Sequence, residues 1–170
     1  MILGMSTSAF TQLHVILSLI GIAAGLVVLF GMLGSNRLSA WTALFLTTTV
    51  LTSATGFFFP RDQLVPSHIV GIISLVVLAI AIFALYGRQL AGSWRWIYVA
   101  SAVLALYLNV FVGVVQAFQK LAFLKSLAPT QSEPPFIVVQ AVVLVLFAVL
   151  GVVAAKGFHP EARSARLRPA

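Results

Sequence analysis

FIVVQAVVLVLFAVLGVVAA, residues 136–155, is the stretch whose reading decides the fold. Its one polar side chain is Gln140, and it carries no charge. It does not alternate between polar and apolar residues, as the strands of a membrane β-barrel do. Its length matches the roughly 20 apolar residues that an α-helix needs to cross the hydrocarbon core of a bilayer. Working outward, four earlier stretches read the same way. With the last included, the expected helices are approximately 9–33, 40–59, 67–87, 95–118 and 136–156.

The composition agrees. Hydrophobic residues make up 61% of the 170-residue chain and charged residues 8%, whereas a water-soluble domain carries roughly a quarter charged residues. The expectation is an all-α integral membrane bundle of five transmembrane helices, one domain over residues 1–156. A basic tail, 157–170, follows, and its composition predicts a disordered cytoplasmic segment. No Lys or Arg precedes the first apolar run, and that run exceeds the length of a signal-peptide core, so it reads as a retained helix.

Charge placement gives an orientation. Arg37, Arg88, Arg95, Lys156, Arg163, Arg166 and Arg168 fall on one side of the alternation, and Arg61, Lys120 and Lys125 on the other. Basic residues accumulate on the cytoplasmic side of short loops, so the N-terminus is expected outside and the C-terminus inside. Asp62 and Glu133 fall in outer loops and Glu161 inside. Trp41, Trp94 and Trp96 all sit at inner helix ends, where an interfacial aromatic belt places them. A bacterial inner membrane is the natural setting. The net charge of +7 reflects these helix ends and the tail, contacts for anionic lipid head groups, and does not indicate nucleic acid. The absence of cysteine excludes disulfides, thiolate metal sites and thiol catalysis.

The connections carry turn signals. Gly-Ser-Asn-Arg (34–37) joins the first two helices, and Pro60–Pro66, with Arg61 and Asp62, joins the second and third. Ser67 is the expected N-cap of the third helix. Ala128–Phe136, rich in proline and polar residues, precedes the fifth helix. No internal repeat marks an inverted-repeat transporter.

Function is then a question of where the polar groups inside the spans lie, because such groups are costly and face the bundle interior. At about 100° per residue, His14, Ser18, Gly21 and Gly25 share one face of the first helix. Gly21 and Gly25 allow a close helix approach. Thr48, Thr52 and Thr55 share a face of the second, with Thr49, Ser53 and Gly56 beside it. His68 stands at the outer end of the third. Tyr98, Ala102, Ala105, Asn109, Gly113 and Gln116 form a stripe on the fourth, and Gln140 lies one turn into the fifth. In the alternating topology His14, His68, Gln116, Gln140 and Thr55 fall in the outer part, Thr52 and Asn109 lie somewhat deeper, and the inner half is almost wholly apolar. The candidate pocket residues are Ser18, Thr52, Thr55, Asn109, Gln116 and Gln140.

Three functions fit such a cluster. The first is a non-enzymatic membrane protein whose periplasm-facing polar pocket binds a small ligand or a partner subunit. The second is a b-type haem electron-transfer protein with His14 and His68 as axial ligands, since imidazole is a common haem ligand. The third is a small channel or permease for a neutral solute. Each residue also has a plain structural role: Asn109 and Gln116 as interhelical hydrogen-bonding groups, the threonines bonded back to their own helix, His68 at the membrane boundary. The spans hold no Asp or Glu, so no proton relay, non-haem metal set or Ser–His–Asp set is expected, and no phosphate-binding glycine loop is present. The expected partners are the lipid bilayer and either a membrane subunit or further copies of the chain.

The segments Thr52-Ser-Ala-Thr-Gly-Phe-Phe-Phe-Pro60, Pro66-Ser-His-Ile-Val-Gly-Ile-Ile-Ser74 and Ala128-Pro-Thr-Gln-Ser-Glu-Pro-Pro-Phe136 resemble those of a group of small, uncharacterised bacterial multi-pass inner-membrane proteins. The resemblance covers most of the chain and brings no activity or ligand with it.

Overall fold

The structure is a computed structural model that describes residues 1–59 and 66–160, with side chains at 66 and 67 excepted. Residues 60–65 of the loop before the third helix, with Arg61 and Asp62, the capping side chain of Ser67, and the tail from Glu161 onward lie outside the described residues.

A tight turn at Ile2–Met5, closed by paired backbone bonds of 2.9 and 3.0 Å, precedes the first helix. Helix α1 spans Thr7–Leu33, and the Ser6 hydroxyl caps it by accepting the Ala9 N–H at 3.2 Å. Helix α2 spans Ser39–Thr55 and continues into a short 3-10 turn, Gly56–Phe58. Helix α3 runs Pro66–Ile82 and ends in a π turn, Phe83–Gly87. It begins at Pro66, one residue before the cap expected at Ser67, and proline suits the first helical position. Helix α4 spans Trp94–Lys120, a short α5 spans Ala122–Leu127, and α6 spans Pro134–Gly157.

Four helical segments are long and apolar enough to cross a membrane: Thr7–Leu33, His68–Gly87, Trp94–Lys120 and Pro134–Gly157. The second apolar stretch forms a shorter helix, the 17 residues of α2, because the chain tightens at Gly56 and leaves helical geometry at Phe59. Helix α5 was not expected. It occupies part of what the sequence presents as loop.

Helices α1 and α2 pack most extensively on each other. Helix α2 also packs on α3, α3 on α4, and α4 on α1 and α6. The order explains itself at single residues. A Cβ placed on Gly25 would lie 2.5 Å from Leu106 Cδ1 and 2.9 Å from the Phe45 ring, so glycine is what lets α1 approach α2 and α4 at once. Below it, Val28, Leu29, Met32, Phe45, Leu78, Val99 and Leu106 form a continuous buried core. Helix α4 is the most buried candidate span, 44% of its most apolar window, and α6 the least, at 6%. Helix α6 therefore lies on the outside against α4 and α1. Its end is fixed by Phe158, which is buried and tilted over Tyr98 with centroids 6.1 Å apart. Ser35 also holds it, donating its hydroxyl to the Gly157 carbonyl. Leu19, Phe30, Ile69, Val76, Val142 and Val145 are among many large apolar side chains left exposed. A surface of this kind is incompatible with a monomer in water and suits a helix bundle surrounded by lipid.

Candidate functional site

The polar face of α1 runs as expected, from His14 through Ser18 to Gly21. It meets α2 and α4 as a column of hydrogen-bonding groups. His14 Nδ1 lies 2.8 Å from the Thr55 hydroxyl, which in turn reaches the Leu51 carbonyl at 2.7 Å. Thr55 has one proton. Donating it to its own helix leaves the oxygen to accept Nδ1–H, which puts the His14 lone pair on Nε2. One turn deeper, the Ser18 hydroxyl donates to Asn109 Oδ1 at 2.9 Å, and Asn109 Nδ2 stands 3.5 Å from the Ser18 carbonyl. Thr52 donates to the Thr48 carbonyl at 2.8 Å, and Thr48 to the Leu44 carbonyl at 2.7 Å.

The column ends at Gly21. Its missing side chain lets three polar atoms close in on it, so tightly that a methyl group there would crowd them. Measured from the position a Cβ would take, Asn109 Nδ2 is at 3.1 Å, Thr49 Oγ1 at 3.1 Å and Thr48 Oγ1 at 3.2 Å. Thr49 is 1% exposed, and its hydroxyl has no hydrogen-bond partner among the described residues. An unpaired buried hydroxyl costs about 1–3 kcal/mol, so this atom is the point in the column that calls for a partner. Beyond it the path closes: Gly25, Phe45 and Leu106 are in direct contact. The column is blind, half-buried at His14 and Ser18 and fully buried at Thr49 and Asn109.

The His14 end is walled by aromatic rings. Phe59 stands edge-on to His14 with centroids 5.2 Å apart, and Phe10 packs edge-on against Phe59 at 5.2 Å and Phe58 at 6.4 Å. Phe57 lies stacked on His68 at 5.5 Å. Both histidines border α2, but on different sides of it, since α1 and α3 pack on α2 and hardly on each other. The two imidazoles therefore face separate phenylalanines.

Of the expected pocket residues, the structure brings together Ser18, Thr52, Thr55 and Asn109 with His14. It does not bring in Gln116, which is exposed. The stripe on α4 holds from Tyr98 to Asn109, and Gly113 still touches Ile22, at 3.5 Å measured from the position of a Cβ. Gln116 lies beyond the height at which a neighbour covers that face. Gln140 is 9% exposed and works at a different seam, donating Nε2–H to the Phe111 carbonyl at 3.2 Å. Its Oε1 is buried without a partner among the described residues. Sequence reasoning missed Thr48 and Thr49 as members of the site and Ser74 altogether. Ser74 is buried and accepts from Ser53 at 3.0 Å, joining α3 to α2. A lone serine in a long apolar run was the available signal for it. Among the described residues, no three His, Cys, Asp or Glu side chains gather.

No protein family, curated protein or solved structure matches this chain.

Proposed function

We propose that this is a non-enzymatic multi-pass protein of a bacterial inner membrane, N-terminus outside, whose blind polar column binds a small uncharged hydrogen-bonding ligand from the outer face. The observation that carries the reading is the buried Thr49 hydroxyl, without a partner among the described residues and beside Asn109 Nδ2 and Thr48 Oγ1 where these crowd Gly21. A ligand that parts these packed side chains supplies the missing partner. It is uncharged because no acidic or basic side chain other than His14 belongs to the column. In this reading α2 is the fifth span. Ser39–Phe58 as a continuous helical rod is 20 residues and about 30 Å long, enough to cross.

The blind end weighs against a permease, since a conducting path would have to pass Gly25, Phe45 and Leu106. A b-type haem between His14 and His68 draws on the free Nε2 of His14, but it requires Phe57 and Phe59 to leave the two imidazoles. A reduced-minus-oxidised absorption spectrum of purified protein separates that reading from ours, which expects no haem bands. The direct test is a thermal-shift screen of uncharged polar compounds (urea, small amides, polyols) against protein in lipid nanodiscs. A binder raises the melting temperature of the native chain and not of Thr49→Val. Equal shifts in both, or no shift with any compound, contradict the proposal.

A further inference from the structure

At the end of the bundle opposite His14 and His68, an open groove of about 620 Å³ runs between α3 and the start of α4. Val76, Ala79, Ile80, Phe83, Trp94 and Ile97 line it, all apolar or aromatic. Its mouth is built with some care. Phe83 opens the π turn and meets Trp94 edge-on at 5.2 Å. A Cβ on Gly87 would stand 2.8 Å from the Phe83 ring, so the glycine is what seats that ring. The guanidinium carbon of Arg88 lies 5.4 Å from the Trp94 ring centroid, a cation over an indole face. The loop that carries Arg88 is pinned by Leu90. This residue is buried despite a left-handed φ of 63°, and its N–H donates to the Ala84 carbonyl at 3.1 Å.

Among the described residues the one carboxylate side chain is Glu133. It precedes α6 at the far end of the bundle, because the near end of α6, at Gly157–Phe158, meets Ser35 and Tyr98. Arg88 thus has no carboxylate partner among these residues, and one end of an apolar trough is positive. The complement of that shape is a molecule with an apolar chain and an anionic end. We infer that the groove holds one anionic phospholipid, an acyl chain along Val76, Ile80 and Ile97 and the phosphate on Arg88, with Trp94 at the interface between them. Arginine suits the phosphate by its planar fork of donors, and tryptophan suits the head-group level. The inference rests on the bundle being embedded in lipid and is independent of the polar column.

The test uses Trp94 as its own reporter. In the full chain carrying Trp41→Phe and Trp96→Phe, both exposed positions, Trp94 is the remaining tryptophan. Phosphatidylglycerol or phosphatidylcholine with brominated chains is titrated into nanodiscs, and quenching is followed. The expected result is half-quenching at an about fivefold lower mole fraction of the anionic lipid, the factor for one basic residue against an anionic head group. Arg88→Gln abolishes the difference, Ala79→Phe weakens quenching by the anionic lipid, and Lys156→Gln, a cation at the same end of the bundle, changes nothing. Equal quenching by both lipids, or equal effects of Arg88→Gln and Lys156→Gln, overturns the site and leaves lipid embedding intact. No quenching by either lipid overturns both.

Discussion

Gly25 shapes the packing by the side chain it lacks. It stands where α1, α2 and α4 meet, with Leu106 and Phe45 inside the space a methyl group would need. Gly25→Ala is expected to destabilise the bundle by about 1–3 kcal/mol, the cost of overpacking a filled core, measured as a lowered midpoint of unfolding in mild denaturing detergent. A change below about 0.5 kcal/mol would mean that the helices separate easily there. A second residue-scale expectation concerns Glu133. Slight desolvation would raise its pKa, but the Thr130 N–H and hydroxyl donate to its Oε1 at 3.0 and 2.9 Å and the Ser132 N–H to its Oε2 at 3.1 Å, which together hold it below its usual 4.5. A depressed carboxyl stabilises the folded loop above the unfolded value and loses that contribution as pH falls through the folded one. The Thr130 and Ser132 amide resonances are therefore expected to titrate with a midpoint below 4.5, and a midpoint at or above it would contradict these bonds. The glycines at 21 and 25 were legible in the sequence as a close-approach pair. That Thr48, Thr49 and Asn109 would crowd Gly21 was not, because it depends on which face of α2 turns toward it.

At the scale of elements, the α1–α4 seam rests on Ser18 and Asn109, 91 residues apart in sequence and 2.9 Å apart in space. A double-mutant cycle with Ser18→Ala and Asn109→Leu is expected to give a coupling of about 0.6–1.7 kcal/mol, the range for polar pairs between membrane helices. A coupling near zero would mean that the two side chains each find other partners. Helical periodicity placed Ser18 and Asn109 on inward faces, and the structure joins them. The same reasoning placed Gln116 inward and the structure leaves it exposed. The difference is physical: a 3.6-residue period fixes azimuth around one helix, but not whether a neighbour reaches that height. The tightening at Gly56, the π turn at Phe83–Gly87 and the short α5 were equally hidden. Each is a local departure from α-geometry within or beside an apolar run, and apolar runs carry no mark of how tightly the backbone winds.

For the whole molecule, composition and the length of the apolar runs suffice to give a helical bundle with a lipid-facing surface. Helix order had to come from the structure. It puts α2 between α1 and α3 and so parts His14 from His68, which in sequence look like a pair. Orientation is tested at this scale too, and the chain is convenient for it because it contains no cysteine. In intact spheroplasts, Ser126→Cys is expected to react with a membrane-impermeant maleimide, and Gln89→Cys only after permeabilisation. The opposite pattern would invert the topology and with it the side from which the column is reached.

The account turns on the column being open to small polar molecules from the outer face as far as Thr49. The measurement that bears on this most directly is the reaction of single-cysteine variants Ser18→Cys, Thr49→Cys and Val28→Cys with a small uncharged hydroxyethyl methanethiosulfonate added outside spheroplasts. The account expects modification at 18, slower modification at 49, and none at 28, which lies past the Gly25–Phe45–Leu106 closure. No modification at 18 and 49, or equal modification at all three, would contradict it.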